Sequence, residues 1–183
     1  TLVITPLARL FSPAEPAPLS VEELDALLEL SQHHGVIDPD EEQVLQQALD
    51  LRELKVTSLM TPRVDVVAYD LADPPQQLLE LLCEQRPRLL PVYEGNIDNI
   101  LGVVYARQIL LRRPTTRLAV RKLIRQVKFV PEQQHVDRLL LELRRAGSTM
   151  AIVADEYGGT AGIVTLQDVV QMLVGDIPDD SGK

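Results

Sequence analysis

Apolar residues recur at helical spacing through SVEELDALLELSQHHG, where Leu24, Leu27 and Leu28 share one face. Ser20 can cap that helix, Glu23 completes a capping box, and Gly35 is a stop. A second helix opens in IDPDEEQVLQQALDL, with Asp38 as cap and Pro39 at the first helical position. The pair predicts a helical hairpin over residues 20–55, behind an apolar, proline-rich connector at 1–19. From Val56 the pattern changes to short β-rich runs alternating with amphipathic helices, and it repeats. One copy reads VTSLMTPRVDVVAY, PPQQLLELLCEQ, LLPVYEGN and ILGVVYARQILL; the other reads VRKLIRQVKFV, HVDRLLLELRRAG, MAIVADEYGG and AGIVTLQDVVQML. Leu82 maps to Leu143 at 61 residues and Gly102 to Gly162 at 60, so the loops are matched almost to the residue. The expected class is α+β, with two β-α-β-β-α repeats at 56–115 and 116–178 and a short tail at 179–183. One such unit leaves a sheet face bare, so the two should pack as a pseudo-symmetric pair with a cleft between them.

Composition narrows the partners. The net charge of -9, with no Lys/Arg run interleaved with aromatics, argues against nucleic acid. The single cysteine, Cys83, excludes an intrachain disulfide, and its leucine-rich helix suggests a core thiol. No apolar run reaches the roughly 18 to 20 residues of a membrane span, yet the chain opens at Thr1 and reads as the middle of something longer. Its soluble character is an expectation drawn from these features.

The second copy carries VTLQDVV where the first carries VYARQIL, so Thr165 and Asp168 stand against Tyr105 and Gln108. Thr followed three residues later by an acid is a near relative of the capping box, and stability alone can account for it. The same pair suits a nucleotide: a carboxylate accepts both ribose hydroxyls, and a hydroxyl with helix N–H groups serves a phosphate. Glutamine offers no anionic acceptor and tyrosine fills space, so one competent cleft is expected, not two. Other candidates are weaker. Adjacent His33 and His34 point apart, the acids from Asp38 to Glu42 read as helix starters, and Gln43 stands where a calcium loop needs glycine. His135 begins a helix without a Ser or Cys to activate, and Tyr157-Gly158-Gly159 reads as a tight turn. No catalytic residue and no protein-held metal is predicted.

The frame Gly162-Ile163-Val164-Thr165-Leu166-Gln167-Asp168-Val169 resembles the C-terminal signature of a cystathionine-β-synthase (CBS) domain, and two tandem copies resemble a Bateman module. The strings LMTPR (59–63), LPVYEGNIDNILGVV (90–104), DEYGGTAGIVTLQDVV (155–170) and VGDI (174–177) look like the CorC/HlyC-type branch, to which the cyclin M magnesium transport mediators are related. In that branch a helical hairpin containing GVIDPDEEQ joins a membrane domain to the CBS pair. The resemblance implies an adenosine nucleotide, ATP first, with magnesium carried on its phosphates. It implies Thr165 and Asp168 on ribose and phosphate, the backbone around Arg88, Leu89 and Leu90 with the apolar wall Val64 to Val67 beside the adenine, and Arg63 with Arg88 balancing phosphate charge. The second cleft is further weakened because LIRQVKF lacks the Thr-Pro of LMTPR.

The leading expectation is therefore a cytosolic regulatory module of a membrane magnesium or cobalt transport protein, at the cytoplasmic face of the inner or plasma membrane. A membrane domain of the same full-length chain is the implied partner, together with a homodimer through CBS pairs. The alternative is a dimerisation module that binds no nucleotide. An enzyme has least support, since neither a G-x-x-x-x-G-K-[ST] loop nor a triad motif nor zinc spacing occurs.

Overall fold

The computed structural model describes residues 37–174 and, before them, the helical positions Leu24, Ala26, Leu27, Leu28, Leu30 and Ser31. The expectations for Ser20, Glu23, His33, His34, Gly35, the 1–19 connector and the 179–183 tail fall outside the described residues. The chain divides into two units, 1–49 and 50–183. At the end of the first, helix α1 (Pro39–Asp50) starts as predicted. Asp38 Oδ1 accepts the Glu41 N–H at 2.9 Å while Glu41 Oε2 accepts the Asp38 N–H at 3.2 Å, a reciprocal capping box. Among the described residues, no helix is long and apolar enough to cross a membrane.

The second unit holds both repeats. The first contributes β1 (Thr61–Pro62), β2 (Tyr69–Asp70), α2 (Pro75–Gln85), β3 (Leu89–Glu94), β4 (Asn96–Tyr105) and α3 (Ala106–Arg112). After α4 (Arg117–Arg121), the second contributes β5 (Lys128–Pro131), α5 (Val136–Ala146), β6 (Met150–Ala154), β7 (Thr160–Thr165) and α6 (Leu166–Val174). In each repeat a parallel pair joined through a helix, β2–β3 or β5–β6, is followed by an antiparallel hairpin, β3–β4 or β6–β7. Leu78 and Leu82 on α2 and their counterparts Leu139 and Leu143 on α5, each four residues apart, present one helix face to the core and are at most 3% exposed.

The two repeats exchange their leading segments. One sheet runs β1-β7-β6-β5, so the first strand of repeat one pairs with the last strand of repeat two, Thr61 opposite Ile163 and Pro62 opposite Gly162. The reciprocal contact is a bridge between Arg125, leading repeat two, and Val103 on β4, the outer strand of the β2-β3-β4 sheet. These crossings explain two glycines. A Cβ on Gly162 would collide with the Thr61 carbonyl oxygen, and one on Gly102 with that of Arg125. The cores follow the exchange: Leu51 and Val56 pack with Val136, Leu139 and Val164, whereas Val120 and Leu123 pack with Leu78, Leu90 and Val104. A division of the chain at 116 therefore does not divide the cores, and 178 falls outside the described residues. Cys83, expected inside, is exposed. Leu82 takes the inward position on α2, and the next residue is turned about 100° away from it.

Candidate functional site

A cavity of about 600 Å³ opens where the starts of β3 and β6 meet the β7–α6 junction. Arg88 and Leu89 come from the first repeat; Thr149, Met150, Ile163, Thr165, Leu166, Gln167, Asp168 and Val170 come from the second. Its volume lies within the roughly 300 to 1,000 Å³ typical of small-molecule sites. The pseudo-symmetry of the pair places it: Leu166 N–H donates to the Thr149 carbonyl at 2.9 Å, and Ala106 N–H donates to the Arg88 carbonyl at 3.2 Å. Each bond ties the start of a helix to the residue just before the strand two elements earlier.

Thr165 and Asp168 form the capping box that their spacing suggests. Asp168 Oδ2 accepts the Thr165 N–H at 2.7 Å, and Thr165 Oγ1 accepts the Asp168 N–H at 3.2 Å. That leaves Asp168 Oδ1 without a partner among the described residues, on a half-buried carboxylate in the cavity wall. The Arg88 side chain is exposed at the same wall, and Leu89, Met150 and Ile163 give it apolar surface. One carboxylate, one guanidinium, two threonine hydroxyls and an apolar floor can receive a ligand with a diol, an anionic tail and a flat apolar ring.

The pseudo-equivalent position in the first repeat is different. Tyr105, 37% exposed, precedes α3 without a side-chain capping bond, and Gln108 Oε1 is buried without a partner among the described residues. Neither residue lines the cavity.

Of the residues expected at the site, Thr165, Asp168, Arg88 and Leu89 come together. Arg63, Val64, Val67 and Leu90 do not line this cavity. Arg63 is held by Asp98 through two contacts, Nη1 to Oδ1 at 2.5 Å and Nη2 to Oδ2 at 3.0 Å. Asp98 Oδ1 also accepts the Thr160 N–H at 2.8 Å, and the buried Thr160 hydroxyl donates to the Ile97 carbonyl at 3.0 Å. That backbone donor first, and the Arg63 guanidinium second, hold the Asp98 carboxyl below the ordinary aspartate range. Asp98 thus ties Arg63, on the turn after β1, and the β3–β4 hairpin to the start of β7, and a phosphate would have to displace Asp98 to reach Arg63. Val64 is 88% exposed on the short helical turn after β1, Val67 packs against the first core, and the Leu90 side chain lies wholly within that core. Thr149 and Met150, not expected, are the repeat counterparts of Arg88 and Leu89 at 61 residues, so the repeat offset itself carried the signal.

A profile of the CBS domain matches residues 120–175. The magnesium and cobalt efflux protein CorC of Escherichia coli K12 is 32% identical over 165 residues, covering 89% of this chain and 56% of CorC. The chain thus spans little more than half the length of that curated relative. Among solved structures, the CBS domain of the bacterial CNNM/CorC family Mg2+ transporter is 41% identical with a TM-score of 0.80, over 88% of this chain and all of that one. A structure of such a domain in complex with ATP is 42% identical with a TM-score of 0.69, over 76% of this chain and all of the other.

Proposed function

The chain belongs to the CBS-domain family, in its CNNM/CorC branch, and from that premise we propose that it is the regulatory module of a membrane divalent-cation transport protein, binding an adenosine nucleotide, ATP first, in the cavity served by Thr165 and Asp168. The observation that carries this reading is the asymmetry of the pair: of two positions that the repeat makes equivalent, one combines an open cavity with a carboxylate, hydroxyls and a guanidinium. Asp168 Oδ1 accepts the ribose hydroxyls, Arg88 meets the phosphates, and Leu89, Met150 and Ile163 bed the adenine. A triphosphate carries more charge than one arginine cancels, and Arg63 is engaged by Asp98, so magnesium on the phosphates completes the neutralisation. The complex of a related domain with ATP supports the choice of nucleotide.

Regulation follows from where the cavity lies. It joins residues of both repeats, so a ligand that fits one arrangement of the pair better than another shifts the balance between them by its differential affinity. The cytoplasmic side of the membrane, where ATP is abundant, is the matching location, and a membrane domain in the same full-length chain is the matching recipient. Among the described residues the lining contains no His, Cys or Lys, and the Thr165 hydroxyl accepts the Asp168 N–H, so the cavity is assigned binding without turnover. Incubation of the chain with ATP and magnesium should release no phosphate above background.

A second reading, a dimerisation module with an empty cleft, is favoured by an exposed apolar residue on α5, Leu141 at 46%. Light scattering after size-exclusion chromatography, run beside calorimetry with ATP, AMP and adenosine with and without magnesium, separates the readings. A dimer that takes up no nucleotide at millimolar concentration would establish the second and overturn the first.

A further inference from the structure

Between Asp98 and Glu132 lie 33 residues with no Asp or Glu and eight Lys or Arg, in a chain whose net charge is -9. The structure turns much of this charge outward. Through α3, the turn after it and α4, the residues Ile109, Pro114, Val120 and Leu123 are buried, and the solvent side carries arginines, Lys122, leucines and the pair Thr115 and Thr116. Leu111 is 74% exposed and Leu118 is 63% exposed, within eight residues of each other. Arg117 and Arg121 share one carboxylate, that of Glu94, at 3.5 and 3.6 Å. Arg107, Arg112, Arg113 and Lys122 have no acidic partner among the described residues.

Leucines interleaved with unpaired cations on a short amphipathic segment fit a surface that is anionic outside and apolar beneath. Nucleic acid would use the charge but not the leucines, and Tyr105 is the only aromatic between Asp98 and Phe129. The overall negative charge does not oppose such contact. At physiological ionic strength the Debye length is about 8 Å, so the local excess of positive charge decides. We propose that the α3–α4 face, with Leu111 and Leu118 among Arg112, Arg113 and Lys122, docks on an anionic lipid surface. The proposal rests on the transport reading only in setting the module beside a membrane; it does not depend on nucleotide.

The test is flotation of the 183-residue chain with vesicles of phosphatidylcholine alone and with phosphatidylglycerol added. Binding to the anionic vesicles, release by high salt and no binding to neutral vesicles is the expected result. One basic residue near such a surface is worth about fivefold in partitioning, so the double variant Arg112→Glu/Arg113→Glu should weaken binding at least tenfold. Leu111→Ser should weaken it as well. All three side chains are exposed, so circular dichroism and thermal unfolding should be unchanged. Absence of vesicle binding, equal binding to neutral vesicles, or no effect of the variants overturns the proposal. So does conversion of a dimer to a monomer by Leu111→Ser, which would give this face to a second copy, or preferential capture of duplex DNA. ATP titration of the same variants keeps the two questions apart, because none of these residues lines the cavity.

Discussion

At residue scale, the two oxygens of Asp168 divide the helix cap and the proposed site between them. Oδ2 closes the cap at the start of α6, and Oδ1, without a partner among the described residues, is the proposed ribose acceptor. Asp168→Ala loses both and should weaken ATP binding by about 1–3 kcal/mol, the scale of a hydrogen bond to a charged group. It should also lower stability by about 1 kcal/mol through the lost cap. Asp168→Asn keeps an acceptor for the Thr165 N–H but not the negative charge, so calorimetry should find weakened ATP binding with the thermal midpoint nearly retained. Equal affinity for wild type and Asp168→Asn would remove the ribose from Asp168. The polar pair was legible in the sequence because its counterparts, Tyr105 and Gln108, supply an internal control. The role of Arg63 was not, because Asp98 lies 35 residues away and no local pattern links them.

At the scale of elements, close backbone crossings and helix ends decide what the sequence tolerates. Gly162→Ala must push β1 away from β7, and overpacking of this kind costs about 1–3 kcal/mol. Denaturant unfolding should report that loss, whereas an unchanged midpoint would mean that β1 can move freely. The helix ends give a change of the opposite sign. Arg86 caps α2 in the left-handed region at φ 49°, where the other repeat has Gly147 at φ 60°. Arg86→Gly should stabilise by about 1 kcal/mol by relieving the Cβ penalty, read as a higher thermal midpoint. Helices and hairpins were readable from periodicity and from the 60- to 61-residue offset. The exchange of leading segments was not: Thr61 meets Ile163 across a hundred residues, and a two-residue strand has too little pattern to announce its partner.

At the scale of the molecule, the Arg63–Asp98–Thr160 tie links the segment after β1 and the β3–β4 hairpin to the start of β7. Its pH dependence has a definite sign. The folded carboxyl of Asp98 titrates below its unfolded value, so its contribution is complete above the ordinary aspartate range, declines as pH falls below that range and is gone once pH passes the lower folded value. Asp98→Asn should therefore unfold at lower temperature than wild type at neutral pH, with the difference narrowing in acid. A difference that persists unchanged at low pH would assign the effect to packing rather than charge. Arg63→Ala should act through the same tie, and the double variant should lose less than the sum of the single changes. ATP binding should survive all three, since neither residue lines the cavity.

On the proposed reading, pseudo-symmetry gives two equivalent positions and chemistry equips one. Isothermal titration of the chain with ATP and magnesium tests it most directly, read as sites per chain in wild type and in Asp168→Asn. One saturable site per chain in wild type and clearly weaker binding in Asp168→Asn are the expected results. Two sites per chain, no heat at millimolar ATP, or binding indifferent to Asp168 would contradict it.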